Sequence, residues 1–258
     1  MVSFASFFAP FDSPRLPALK SARGKAIIEV SARMDKFSAL EAPFMKIIAP
    51  RIPETLVPAD RRQLEDMFAE EMDLCRLQLE KADLQNILLP DAAFSQCVFT
   101  GCRLAGAQLP KAEFVDVTFK NCDFSGCQLS GAYFSRCTFT DCKAVGVQLQ
   151  DATFKQTAMF RCNLELADLD QALLAGVALT DCRLSKAWIT QCRHRGLELT
   201  RCDLTQASLH HTPLKGLDFT SCQLDQVSLS AEDLNGSIMN IYQAAQFARL
   251  LGIQVRSE

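Results

Sequence analysis

The sequence predicts a solenoid, and three observations carry that expectation. From Leu74 to Leu234 every fifth residue is a centre: thirty-three positions in one unbroken register, apolar throughout except for His194. Two residues before the centres sits something small or slim, as in Ala82-Asp83-Leu84, Cys122-Asp123-Phe124 and Ala167-Asp168-Leu169. Nine of the eleven glycines fall two residues after a centre, a position shared by Asn86, Asp91, Asp116, Asn121, Asp141, Asp151 and Asp181. A helix repeats every 3.6 residues and a strand every 2, so neither produces a strict five. Self-similarity at a short fixed period marks units that stack on one another.

These A-(D/N)-L-x-x-like units resemble the pentapeptide-repeat family over residues 72–239. The resemblance implies an all-β solenoid, a right-handed quadrilateral β-helix with one pentapeptide per side and four per coil. A four-sided coil returns to the same face every twenty residues, so each face should have its own character. Cys102, Cys122, Cys142, Cys162, Cys182, Cys202 and Cys222 follow that spacing without a gap. Phe94, Phe114, Phe134 and Phe154 mark a second face, and Leu89, Leu109, Leu129 and Leu149 a third. A turn on every side needs φ > 0 at one corner residue, which Gly takes freely and Asn or Asp tolerates. Pro90 and Pro110 suit the neighbouring corner position, where φ is fixed near −65°. Thirty-three centres make about eight coils, a rod of about 38 Å at the usual strand spacing.

The ends of such a rod are open sheet edges that need covering. Residues 1–49 form an N-terminal extension, read as mobile or as an over-called start with the real one at Met34. Residues 50–71 are the expected cap: Pro50 to Pro58 extended, then a short polar helix from Ala59 to Glu71. Residues 240–258 change period to that of a helix, with Asn240 as N-cap and Gly252 as terminator. This tail resembles the C-terminal helix of many pentapeptide-repeat proteins, including the quinolone-resistance (Qnr) group, where it mediates dimerisation. The resemblance implies a homodimer, with Tyr242, Phe247, Leu250 and Leu251 as contacts. A helix that simply caps the last coil of a monomer is the alternative.

Net charge is −3, too close to neutral for a strongly basic nucleic-acid surface. No run of eighteen apolar residues is present, so no membrane span is expected. The twelve cysteines contain no C-x-x-C, and seven occupy the slim inward position of one face, where Cys acts as a small hydrophobe. So many free thiols point to a reducing, cytoplasmic setting.

The register leaves no insertion from which to build a cleft, so no catalytic, cofactor or metal site is expected and the protein reads as non-enzymatic. His210 and His211 fall at a corner and point outward. His194 occupies a centre that should be apolar, between Arg193 and Arg195. It is either a half-buried histidine with a local backbone partner or a dent where a partner's acidic group docks. Trp188, the sole tryptophan, should project outward as a candidate interface anchor. The expected function is a protein–protein interaction scaffold without direct nucleic-acid contact. The family resemblance also offers an alternative: a Qnr-like DNA mimic that binds DNA gyrase or topoisomerase IV, a type II topoisomerase partner. Residues 72–234 hold 19 acidic and 15 basic side chains, a net of −4. Duplex DNA carries one charge per ~1.7 Å of axis, far more than this.

Overall fold

The structure, a computed structural model, describes residues 47–256. The repeat forms a parallel β-solenoid in which each residue pairs with the one twenty positions on. Phe94 lies opposite Phe114, Phe114 opposite Phe134, Phe134 opposite Phe154, and Phe154 opposite Leu174. The strands are three-residue sides in the early turns, such as Ala93–Ser95 and Val98–Thr100. They lengthen to eight residues in Thr153–Phe160, Leu173–Thr180 and Arg193–Thr200, which run straight through a corner. There are about seven regular turns rather than eight. The shortfall lies after Thr212, where strand pairing gives way to successive turns from Ala231 to Gly236.

Each five-residue side turns two side chains inward, the centre and the residue two before it. Phe99, Phe114, Phe119, Phe134 and Phe154 are all under 2% exposed. The corners carry left-handed backbone, and not only at glycine. Twenty-three non-glycine residues hold φ between 50° and 60°, among them Gln96, Arg136, Arg161 and Leu166. Such a conformation costs an L-residue about 1–2 kcal/mol. Stacking imposes it, because any other corner would break register with both neighbouring turns.

Corners come in two kinds. After centres such as Leu104 and Leu109 a turn closes on itself: the Ala107 N–H donates to the Leu104 carbonyl (2.9 Å) and the Ala112 N–H to the Leu109 carbonyl (3.2 Å). After Phe99, Phe119 and Phe139 no such bond forms, and the centre's carbonyl is left inside. The cysteine of the next turn supplies a donor. Cys122 Sγ donates to the Phe99 carbonyl at 3.5 Å, Cys142 to Phe119 at 3.7 Å and Cys162 to Phe139 at 3.6 Å. The same bond recurs from Cys182, Cys202 and Cys222. The cysteine rank is thus both slim packing and a weak answer to a repeated buried acceptor. All twelve cysteines are free thiols. Burial pushes the Cys127, Cys137 and Cys192 thiols up to about 12 and Cys97 up to about 11.

Two aromatic columns fill the early turns. Phe94, Phe114, Phe134 and Phe154 stack at 5.2, 5.0 and 4.7 Å between ring centroids. Phe99, Phe119 and Phe139 stack beside them, and rings in different columns meet edge to face. Beyond Phe154 the columns continue as Leu174 and Leu214, and as Met159, Leu179 and Leu199. There the thinner side chains leave an apolar void of about 40 Å³, and such voids stay dry.

Side-chain donors finish both ends. Helix α1 (Arg61–Ala69), N-capped by Asp60, seats Leu64 in the core and sends Arg61 Nη1 to the Gln85 carbonyl at 3.0 Å. At the other end α2 (Ile241–Phe247) is N-capped by Asn240 and presses Phe247 into the core. Gln243 Nε2 donates to the carbonyls of Phe219 (2.7 Å) and Cys222 (2.9 Å), and Gln246 Nε2 to Leu224 (3.0 Å). These amides stand where the next turn's N–H groups would be.

The segment before α1 does more than cover the first turn. Val57–Pro58 pairs with Leu77–Gln78, but Arg51 N–H donates to Asp116 Oδ1 (3.0 Å) and Ile48 N–H to Gln156 Oε1 (3.0 Å). Asp116 and Gln156 share one corner column two turns apart, about 10 Å at the usual strand spacing, which three extended residues span. Residues 48–58 therefore form a strap laid lengthwise along the rod.

Native-state labelling with a thiol reagent checks the register: Cys122, Cys142 and Cys162 resist modification, while the partly exposed Cys75 reacts first. Phe134→Ala, at the centre of the stacked column, lowers stability by about 3–5 kcal/mol in chemical denaturation.

Candidate functional site

The faces are flat and the interior is packed but for the small apolar void, so chemistry has to be sought on the surface. Among the described residues no group of three or more His, Cys, Asp or Glu side chains converges as a metal site. No helix among them is long and apolar enough to cross a membrane. Three surface features stand out: axial rows of charge, one cluster of unpaired cations, and an apolar end.

The charged rows follow from the register. A side chain at position i meets the one at i+20 about 4.8 Å away, so sequence spacing of twenty places charges in columns. Along one face the column reads Asp83, Arg103, Asp123, Lys143, and bridges form between Arg103 and Asp83 (2.6 Å) and between Lys143 and Asp123 (3.5 Å). Along a corner it reads Asp141, Arg161, Asp181, Arg201, with two-pronged pairs Arg161–Asp141 and Arg201–Asp181. The paired guanidinium holds each of these aspartates below the ordinary carboxylate range. A fifth pair is the least exposed. Asp116, 6% exposed, accepts from Arg136 Nε and Nη2 at 2.7 Å each and from the strap's Arg51 N–H. Its burial works against ionisation, but the Arg136 bonds and the Arg51 N–H outweigh it, and its carboxyl titrates below its ordinary value.

Arg193 and Arg195 break this pattern. Both are exposed, and their neighbours in the preceding turn are Leu173 and Ala175. Lys215, also exposed, stands one period beyond Arg195. Among the described residues none of the three has an ion-pair partner. His194 between them is half-buried at its centre position opposite Leu174, with Nε2 against the Pro213 carbonyl. His210 and His211 lie at the next corner; His210 is half-buried between the Ser228 and Ser230 hydroxyls (2.7 and 3.3 Å), and His211 is exposed. Trp188 does project outward, 48% exposed, between Asp168 and Ser208. The corner at Gln191 separates it from Arg193, so Trp188 and the arginine pair occupy different sides and do not form one patch.

At the C-terminal end Ile241 (79% exposed), Tyr242 (84%) and Leu251 (65%) face outward, with Leu250 half-exposed behind them. Phe247, grouped with these in the sequence reading, is only 6% exposed. Its position one turn from Gln243, on the face that caps Phe219 and Cys222, points it into the solenoid instead. A helix this short has two faces; the carbonyl-capping glutamines mark the inner one, a signal that apolar spacing alone does not show.

The chain matches the family description "Pentapeptide repeat region" over residues 112–189 and 132–209, and "Pentapeptide repeats (8 copies)" over residues 78–116 and 195–230. No curated relative matches it. Among solved structures it is similar to trypsin-treated QnrB1, a plasmid-mediated fluoroquinolone resistance protein. That match has 20% identity and a TM-score of 0.43, covering 78% of this chain and 98% of QnrB1. It is also similar to HetL, a pentapeptide repeat protein involved in heterocyst differentiation regulation from the cyanobacterium Nostoc sp. strain PCC 7120 (17% identity, TM-score 0.37, covering 70% and 97%). A third is Rfr23 from the cyanobacterium Cyanothece 51142 (12% identity, TM-score 0.21, covering 69% and 99%).

Asp116 predicts a pH dependence. Because its folded pKa lies below the unfolded value, its stabilisation is complete above about pH 4 and is lost as pH falls through the folded pKa. Asp116→Ala lowers stability by about 1.5–3 kcal/mol at neutral pH, and flattens the acid limb of the melting temperature plotted against pH.

Proposed function

Because the chain belongs to the pentapeptide-repeat family, we propose that it works as a non-catalytic protein–protein interaction scaffold and forms a homodimer through its C-terminal helix. The observation that carries this reading is the two-sidedness of that end. Gln243, Gln246 and Phe247 complete the last turn from within, and Ile241, Tyr242, Leu250 and Leu251 then remain uncovered outside. Capping needs the first set only. An apolar outer face at one end of a symmetric rod is most simply buried against its own copy. Flat, loop-free sides add surface for partners, and Trp188 is a separate anchor on one of them. Twelve free thiols suit a reducing compartment such as the cytoplasm.

The type II topoisomerase reading draws less support from the surface. A DNA mimic needs rows of uncompensated negative charge, whereas the two acidic rows here, Asp83 and Asp123 on a face and Asp141 and Asp181 at a corner, alternate with arginine and lysine along the axis. A gyrase supercoiling assay, with and without a fluoroquinolone, separates the two. The scaffold reading expects no change in either arm, and protection by the purified protein would restore the topoisomerase partner.

Light scattering tests the dimer. The full chain runs at twice its mass, and Tyr242→Asp combined with Leu251→Asp gives a folded monomer, because the inward-facing cap is untouched. A full chain that is monomeric at high concentration would leave the helix as a cap alone.

A further inference from the structure

On one side of the solenoid a break in the core column coincides with two exposed, unpaired arginines on one strand. Four arginines of the solenoid, Arg103, Arg136, Arg161 and Arg201, meet a carboxylate one turn away. Arg193 and Arg195 instead follow Leu173 and Ala175, and Lys215 comes one period after Arg195. The core is broken at the same place: in the column Phe134, Phe154, Leu174 the next residue is His194, half-buried where its predecessors are buried. A half-buried imidazole in an otherwise apolar core column costs the isolated chain stability, and the arginines on either side of it have no carboxylate to meet among the described residues. Such local conflicts belong where a ligand resolves them.

We propose that Arg193, Arg195 and Lys215 form the docking surface for an extended acidic segment of a partner protein, its carboxylates on alternate residues. This deepens the interaction reading above and rests on it. The charge sign selects the ligand and the strand geometry selects its form. Arg193 and Arg195 are two residues apart in the strand Arg193–Thr200, so their side chains leave the same face about 6–7 Å apart. An extended peptide presents alternate side chains at that same interval. Two of its carboxylates therefore register on the two guanidiniums, each able to take a two-pronged bond. A third reaches Lys215. The partly exposed Leu173 and Ala175 beside them offer apolar contact to the intervening residues. Contiguous acids on a helix or a compact turn do not match this spacing.

Fluorescence anisotropy on the full-length protein tests the proposal, with a fluorescein-labelled Glu-Thr-Glu-Thr-Glu-Thr-Glu peptide as the probe. Saturable binding at low salt is expected, at least about tenfold tighter than to a peptide with the same four glutamates in one block. The double variant Arg193→Glu, Arg195→Glu loses at least about tenfold in affinity. Lys111→Glu, far along the rod, changes nothing. Arg195→Thr, at an exposed strand position where threonine is favoured, melts no lower than the parent, so weaker binding in that variant is not misfolding. The proposal is overturned if the parent shows no saturable binding, if the charge-reversed variant binds equally, or if the blocked peptide competes as well. Tighter binding of a single-stranded oligonucleotide than of the alternating peptide also overturns it, in favour of a phosphate backbone. Light scattering on the same double variant keeps the readings apart: a dimer that no longer binds the peptide is the expected result. Peptide binding by a monomeric parent would sink the dimer and leave the docking surface standing.

Discussion

Everything in this rod depends on the backbone bonds that tie residue i to residues one turn away. They fix the period at twenty, and the period then decides what each side chain meets. A phenylalanine at 114 stacks on 94 and 134; an aspartate at 181 faces an arginine at 201. The corners show how strong the constraint is. Arginine, lysine, glutamine and even Leu166 are held in left-handed backbone that each would avoid in isolation. No single corner can relax, because its neighbours above and below share its bonds.

The same register creates a repeated problem and a repeated solution. On two of the four sides the centre's carbonyl has no turn N–H to accept from, and a cysteine thiol from the next turn approaches it. On a third side, where Ile189 lacks the turn bond that closes on Leu149 and Leu169, a hydroxyl serves: Thr212 Oγ1 donates to the Ile189 carbonyl at 2.7 Å. Cysteine is small enough to leave the aromatic columns undisturbed and polar enough to meet the acceptor, and that combination accounts for a rank of thiols better than hydrophobicity alone. The ends state the problem differently, since a terminal turn has no successor. Arg61 at one end and Gln243 and Gln246 at the other replace the missing backbone donors with side chains.

Surface charge follows from the period as well, and it shapes the functional reading. Two alternating columns neutralise the rod along their own lines, leaving shape, the apolar end and the arrangement of unpaired groups to distinguish one part from another. Arg193, Arg195 and Lys215 gain their meaning from where they stand: the two arginines flank His194, half-buried in an otherwise apolar core column, and Lys215 follows one period on. The apolar end is similarly defined by contrast, since the helix that closes the solenoid has already used its inner residues.

The five-residue register, the inward pair on each side, the cysteine rank and the stacked phenylalanines were all legible in the chain, because in a solenoid local spacing and three-dimensional contact are the same thing. Glycine, asparagine and aspartate also marked many corners correctly, although Gln156 or Arg161 carried no such mark and took the same conformation by stacking. What lay outside the repeat was not legible. Nothing in Ile48 or Arg51 announces that a strap runs past several turns to Gln156, because its bonds go to residues 108 and 65 positions away. Nor does helical spacing separate Phe247, which faces the core, from Tyr242, which does not. The placement of Trp188 and Arg193 on different sides likewise needed the corner between them. Where the chain repeats, sequence alone determines structure; where it leaves the repeat, only the tertiary fold chooses the partner, since burial there depends on surfaces that no local period encodes.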